Sequence, residues 1–277
     1  MAETTGPGAA PRALIVTIYG LYARDSGGWL SVSLMIRLLA EFGVDEPAVR
    51  SAISRLKRRG LLVASRRDGA AGYALSAEAQ EILAEGDAQI FQPHPARLAD
   101  GWLLVVFSVP ETERAKRHTL RSRLAALGFG AAAPGVWVAP AHRRDLTAST
   151  LRRLGIESYV DLFRADYLAF TDLTQAVGEW WDLSAIHKSY VEFIARWEGL
   201  GRWEGPGRQG SSAESFADWV RLLTDWRRLP YLDPGLPPEL LPADWPGAQA
   251  TELFYRLRAR LASPAHDHVR RVSAATR

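Results

Sequence analysis

No cysteine occurs anywhere in this chain, which excludes a disulfide framework and a thiol nucleophile together and gives no sign of export. No run of about 18 apolar residues appears, so no segment reads as a membrane-spanning helix. The opening MAETTGPGAAPR lacks the charged-then-apolar order of a signal peptide, and the expected location is cytoplasmic. Phosphate-binding glycine loops of the Walker and dinucleotide types are missing, as is a G-x-S-x-G nucleophile elbow. His94, His118, His142 and His187 are scattered, and His266 and His268 fall in a C-terminal segment expected to fray. Neither a metal site, nor a cofactor, nor catalysis is expected.

Charge of one sign is also scarce. Lys+Arg number 34 against 31 Asp+Glu, a formal +3, so a polyanion-binding surface has to come from local clustering. Lysine is confined to Lys57, Lys116 and Lys188. The remaining cations are arginines, which an Ala/Gly/Arg-heavy composition supplies without any binding role.

What is present is apolar material: 277 residues at 47% hydrophobic suffice for one large domain or two to three small ones. Residues 1–11 are small, Gly/Pro-rich and aperiodic, and read as a disordered tail. From Arg12 to Phe91 the signals are helical, with Leu14, Ile15, Ile18, Leu21 and Tyr22 on one face, then Val32, Met35, Ile36 and Leu39 on another. QPHPARLADG, containing Pro93 and Pro95, reads as a boundary. WLLVVFSVP then reads as a buried strand, ETERAKRHTLRSRLAALGF as a helix, GVWVAP as a strand, LRRLGI as a helix and SYVDLFRADY as a third strand. That alternation fits a small split-βαβ sheet. Asp172 to Leu200 reads as one long Trp-rich helix, and after GLGRWEGPGRQGSS two helices flank LPYLDPGLPPELLPADWPG. The expected fold is α+β: a winged helix-turn-helix at 12–91, a middle ferredoxin-like α/β domain at 99–172, a C-terminal helical domain at 173–265 and a tail at 266–277.

Basic charge is crowded into VDEPAVRSAISRLKRRGLL, Val44 to Leu62. On a helical wheel Val49, Ala52, Ile53 and Leu56 make an apolar stripe, while Ser51, Ser54, Arg55 and Arg58 collect opposite, with Arg50 and Lys57 on a flank. Asp45 is placed to cap the helix and Pro47 falls in its first turn. Upstream, WLSVSLMIRLLAEFG reads as another amphipathic helix, with Gly43 available for a left-handed turn. Helix, glycine turn and basic helix make a helix-turn-helix. LLVASRRDGAAGYALS follows as two strand-like runs with Asp68-Gly69 at the tip and Arg66 and Arg67 beside it, a basic wing. A duplex takes cations along its phosphates and Arg or short polar groups at its base edges. Ser51, Ser54 and Arg55, with Arg50, are the candidates for base edges; Lys57, Arg58, Arg66 and Arg67 are the candidates for phosphates. An isolated charge run is more often a solvated helix face. Turn, one-sided basic face and wing together favour DNA.

AVRSAISRLKRRGLLVASRR followed by GYALS resembles the winged-helix segment of the PaaX family, transcriptional repressors of phenylacetate catabolism and related regulators. The resemblance continues in ALIVTIYGLY, DGWLLVVFSVPE, LRSRLAALGFGAAAPGVWVAP, DPGLPPELLPADWPG and AQATELFYRL, in order over most of residues 12–262. It implies the three domains above acting as a homodimer on an inverted-repeat operator in double-stranded DNA, released by an acyl-CoA effector such as phenylacetyl-CoA. Departures are Leu21, where the family usually has an acidic residue, and Ala70 and Ala71 at the wing tip, where more basic residues are common.

Two other readings accompany this one. A ferredoxin-like middle domain resembles the small nuclease-fold subunit of CRISPR adaptation complexes, but Ser108 stands where that fold's metal-binding Asp would end the first strand. Without paired carboxylates a hard cation has little to bind, and Glu111 and Glu113 suit a helix's first turn. A protein-binding winged helix is the other alternative. For an effector, Trp226, Arg227, Arg228 and Tyr231 are the candidates, since Arg pairs hold phosphates and an aromatic receives a ring; the same residues also suit a clamp between domains. Trp180, Trp181 and Trp197 suit an acyl pocket or, more ordinarily, a core.

Overall fold

Capping residues decide where the N-terminal helices begin. The computed structural model describes residues 10–92, 96–168, 170–201 and 211–276. Pro11 opens α1 (Pro11–Ile18), and the chain then widens into a π-helical turn at Tyr19–Ala23. β1 (Trp29–Ser31), α2 (Val32–Ala40), α3 (Glu46–Arg58), β2 (Leu62–Arg67), β3 (Ala70–Leu75) and α4 (Ala77–Phe91) follow. Then come β4 (Trp102–Phe107), α5 (Arg114–Ala126), β5 (Gly130–Ala133), β6 (Val136–Pro140), α6 (Arg144–Arg153) and β7 (Val160–Ala165). The rest is helical: α7 (Leu173–Trp180), α8 (Leu183–Gly201), α9 (Ser212–Trp226), the short α10 (Leu229–Leu232) and α11 (Gly247–Ala274). The fold is α+β with two antiparallel sheets. The boundary prolines Pro93 and Pro95, His94, residues 1–9 of the expected tail and residues 202–210 of the Gly-rich loop lie outside the described residues.

The described residues of Met1–Gly86, Ile194–Trp226 and Thr251–Arg277 form one compact unit, and those of Asp87–Phe193 and Arg227–Ala250 another. In the first, α1 buries Leu14, Ile15, Thr17 and Ile18, and the Thr17 and Thr224 hydroxyls share a 2.8 Å hydrogen bond inside the core. Trp226 lies flat on Phe254 with ring centroids 4.5 Å apart. The sheet order is β1-β3-β2. The structure departs from three expectations. WLS forms strand β1, not the start of a helix, because Ser31 accepts a hydrogen bond from the Leu34 N–H and so caps α2 at Val32. The face α2 buries is therefore Leu34, Met35, Leu38 and Leu39, with Val32 and Ile36 only half-buried. The tail expected at 266–277 is helical as far as Ala274: α11 runs through Pro264 because Leu261, Ala265, His268 and Val269 keep its packed face continuous.

In the second unit, strand, helix, strand, strand, helix, strand assemble a four-stranded sheet in the order β5-β6-β4-β7, with all pairings antiparallel. One sheet face, with Leu103, Val105, Trp137 and Ala139, packs on Leu120, Leu124 and Leu151 of α5 and α6. The other, with Trp102 and Val138, packs on Val177, Trp181, Leu236 and Leu240. Strand β5 went unread in the sequence because GAAA has no β-branched or aromatic residue. Its Gly130 is set by packing, since a Cβ there would lie 2.8 Å from the Trp180 carbonyl oxygen and the Trp181 ring. The single helix expected over Asp172 to Leu200 is two. Trp181 is extended, its indole N–H donating to the Gly128 carbonyl at 2.9 Å, and Asp182 caps α8 by accepting from the Ala185 N–H.

Candidate nucleic-acid interface

The α2-α3 connection is built from local chemistry. The Val44 N–H donates to the Leu39 carbonyl and the Gly43 N–H to the Ala40 carbonyl, while Gly43 holds a φ of 71°. This is the Schellman termination that a left-handed glycine permits. Two residues on, Asp45 accepts from the Ala48 N–H at 2.8 Å and starts α3. Val49, Ala52, Ile53 and Leu56 are all buried, so the opposite side of α3 is pinned outward: Arg50, Ser51, Ser54, Arg55, Lys57 and Arg58 are each exposed. Arg55, Lys57 and Arg58 lie in the last turn, where cations also suit the helix dipole.

The outward residues differ in what they already hold. Arg50 is ion-paired with Glu46 one turn earlier at 2.7 Å. Arg55 donates to the Ser51 hydroxyl at 2.7 Å, which fixes its guanidinium along the helix surface. The side chains of Ser54, Lys57 and Arg58 make no hydrogen bond or ion pair with any described residue, and neither does that of Arg59 beyond them, an exposed cation at the C-cap that the sequence reading left out of its candidates.

β2 and β3 form a six-residue antiparallel hairpin with Arg67 opposite Ala70, leaving Asp68 and Gly69 as a two-residue tip. Both tip residues have positive φ, 49° and 80°, as the twist-matching hairpin turn requires. Arg66 projects from this hairpin, exposed and without a described partner. Arg67, expected at a phosphate, is already engaged within the protein. Its guanidinium turns inward, donating to the carbonyls of Ser26 and Gly27 at 2.6 and 3.1 Å and lying 5.5 Å from the Trp29 ring. Trp29 in turn covers Gly72, where a Cβ would sit 2.4 Å from the indole, and donates to the Ser65 carbonyl. Tyr19 donates to the Tyr73 carbonyl, and burial pushes its phenol well above the ordinary range, so it stays a donor. The hairpin is thus held midway by Trp29, which lies over Gly72 because no Cβ stands there, and next to its tip by Arg67.

At the C-terminal end of α2, Glu41 lies 3.6 Å from the buried His268, and Arg37 donates to the Ala275 carbonyl. His268 stacks on Phe216, and burial lowers its affinity for a proton despite Glu41. The far end of α11 therefore braces α2, an arrangement that the expected tail concealed.

Residues 10–79 match the family model described as PaaX-like protein, 95–177 the PaaX protein central Cas2-like domain, and 181–271 the PaaX-like protein C-terminal domain. The chain belongs to the PaaX family. The Escherichia coli (strain K12) protein named Transcriptional repressor PaaX is 28% identical over 260 residues, which cover 91% of this chain and 81% of that protein. Among solved structures, an uncharacterized Mycobacterium tuberculosis protein is similar with a TM-score of 0.54 and 25% identity, over 93% of this chain and 98% of the other.

The remaining candidates of this PaaX-family chain divide by environment. Trp226 is 1% exposed and engaged by Phe254. Arg227 and Tyr231 are half-buried and Arg228 exposed, all in the second unit, with Tyr231 inside α10. Trp181 and Trp197 are core residues, Trp197 donating to Asp225, and Trp180 packs edge-on against Trp102. Missed by the sequence reading is Arg143, 2% exposed, whose guanidinium donates to the carbonyls of Pro230, Asp233 and Pro234. Asp233 also accepts from the Tyr190 hydroxyl at 2.8 Å. Glu111 and Glu113 are ion-paired with Arg117 and Lys116. No group of three metal-ligating side chains, and no helix long and apolar enough to cross a membrane, occurs among the described residues.

Proposed function

We propose that this protein is a sequence-specific, DNA-binding transcriptional regulator of the repressor type. The observation that carries the reading is the outward face of α3, where Ser54, Arg55, Lys57 and Arg58 stand exposed above a fully buried stripe, beside a hairpin that offers Arg66. A helix seated this way enters a major groove, with Arg and short polar groups meeting base edges and flanking cations meeting phosphates. Arg55, Ser51 and Ser54 read bases in this proposal; Lys57, Arg58 and Arg66 hold the backbone, joined by Arg59. Arg50 reads only if it leaves Glu46. The relative from Escherichia coli, itself named a transcriptional repressor, supports the assignment.

The finer picture is a winged helix-turn-helix at 12–91, a ferredoxin-like domain at 99–172 and helices beyond, working in the cytoplasm as a homodimer on an inverted repeat. An acyl-CoA such as phenylacetyl-CoA releases the DNA, and Arg227, Arg228 and Tyr231 remain candidates for its site. Trp226, whose ring is packed on Phe254, has no part in that site in this proposal. The test is a mobility shift on the DNA upstream of the protein's own gene, repeated with acyl-CoA thioesters and the matching free acids. Retardation of that DNA over a scrambled duplex, reversed by a thioester alone, is the expected result. Equal retardation of both duplexes overturns sequence specificity, and retention of the shift with every thioester overturns the effector.

A further inference from the structure

The two edges of the second unit's sheet are unlike. One edge, β5, is four residues long and its pairing with β6 shifts register between Ala131 and Ala133. Shortness and a bulge are ordinary ways of keeping an edge from pairing with another chain. The other edge, β7, has neither. It pairs with β4 over six consecutive residues without a shift, contains no Pro or Lys, and exposes Asp161, Leu162, Phe163 and Arg164 in a row, with Phe163 at 51%. Exposed Leu168 and Phe170 follow it. Such an edge is a template for a further strand.

Its hydrogen-bonding phase can be read directly. The Ser108 N–H donates to the Tyr159 carbonyl, so Asp161, Phe163 and Ala165 turn their backbone groups toward β4. Val160, Leu162 and Arg164 consequently present theirs outward. We propose that β7 is the interface with a second copy of this chain, the two β7 strands pairing antiparallel about a two-fold axis through Phe163.

Three features of the strand select this occupant. Its acid lies near the start and its base near the end, so antiparallel doubling brings the acidic end of one strand to the basic end of the other, whereas parallel in-register pairing would set like charges face to face. A two-fold axis normal to the sheet keeps each face continuous, which restricts self-pairing to registers centred on a single residue. Centred on Phe163, the two rings meet on the Trp102 and Leu104 face, Leu162 lies opposite Arg164, and Asp161 opposite Ala165. Centring on Leu162 would instead press Asp161 against Phe163. Arg164 reaches back to the Asp100 carbonyl, leaving its stem as the surface Leu162 covers.

The choice of a second copy rests on the proposed function, since two half-sites require two DNA-binding units. The chain has no cysteine, so Phe163→Cys places a single thiol on the axis, and Ala132→Cys on β5 serves as the control. Mild oxidation should convert most of the Phe163→Cys protein, and little of the control, to a disulfide-linked dimer. Leu162→Lys should sediment as a monomer with unchanged far-UV circular dichroism, keep its affinity for a half-site within about twofold and lose about tenfold or more on the full operator. Failure of Phe163→Cys to cross-link, or a Leu162→Lys protein that sediments as a dimer, overturns the interface. Dimers that cross-link as expected but bind no DNA would leave the interface standing and overturn the function.

Discussion

Arg66 and Arg67 are neighbours on one strand, yet the structure gives them different work, and replacing each by Ala separates the two. Arg67 donates to two carbonyls, of Ser26 and Gly27, and lies over Trp29. Hydrogen bonds from a charged donor contribute about 1.5–3 kcal/mol each when buried. Because Arg67 is exposed, screening reduces the pair to about 1–2 kcal/mol in total. At about 2–4 °C per kcal/mol for a unit of this size, Arg67→Ala should lower the melting temperature by roughly 2–8 °C. Arg66 has no described partner, so Arg66→Ala should leave the melting temperature unchanged. DNA binding should show the reverse. Fluorescence anisotropy across a salt series should find the slope of log K against log salt reduced by about 0.9 in Arg66→Ala, the loss of one phosphate contact. In Arg67→Ala the slope should not move. If Arg67→Ala loses a full unit of slope while melting like the wild type, the inward orientation is wrong and the residue is a phosphate contact after all.

Arg55→Ala should cost about 1–3 kcal/mol on the operator and relax discrimination at one base position, read by competition with single-base operator variants; equal losses on operator and random DNA contradict base reading. Trp226→Ala removes a 1% exposed ring stacked on Phe254 and should cost about 3–5 kcal/mol of stability, measured by denaturant unfolding, with effector response per folded molecule unchanged; a near-neutral stability with lost response contradicts its structural role. His268 is held neutral by burial, against the pull of Glu41, so its pKa in the folded state lies below the ordinary 6.5. The unfolded chain then takes up the proton first as pH falls, so the stability this residue contributes is present above pH 6.5 and is lost progressively below it. The drop in melting temperature from pH 7.5 to 5.5 should accordingly be smaller in His268→Gln than in the wild type, and a larger drop contradicts the sign.

What was legible in the sequence was local. The stripe of Val49, Ala52, Ile53 and Leu56, the Asp45 cap, the Gly43 turn and the Asp68-Gly69 tip are each decided by residues within one or two turns of themselves. What escaped was decided at a distance. Three residues at Trp29–Ser31 become a strand because β3 pairs with them, and GAAA becomes one because β6 pairs with it, with Trp181 lying over Gly130. Asp182 interrupts a helix that periodicity alone would continue. The segment after Pro264 looked like a tail, yet it carries the buried His268 and Val269. Charge type was readable in the wing; direction was not, since the inward turn of Arg67 depends on two carbonyls some forty residues away in sequence. Nothing in a one-dimensional pattern distinguished it from Arg66.

The central claim is that the exposed face of α3 reads DNA. Anisotropy titration of the protein on its own upstream DNA and on a scrambled duplex of equal length, from low to physiological salt, tests it most directly. A specific complex predicts affinity falling steeply with salt on both duplexes and tighter binding to the native sequence by about a thousandfold or more. Binding that ignores salt, or that is equal on the two duplexes, contradicts it.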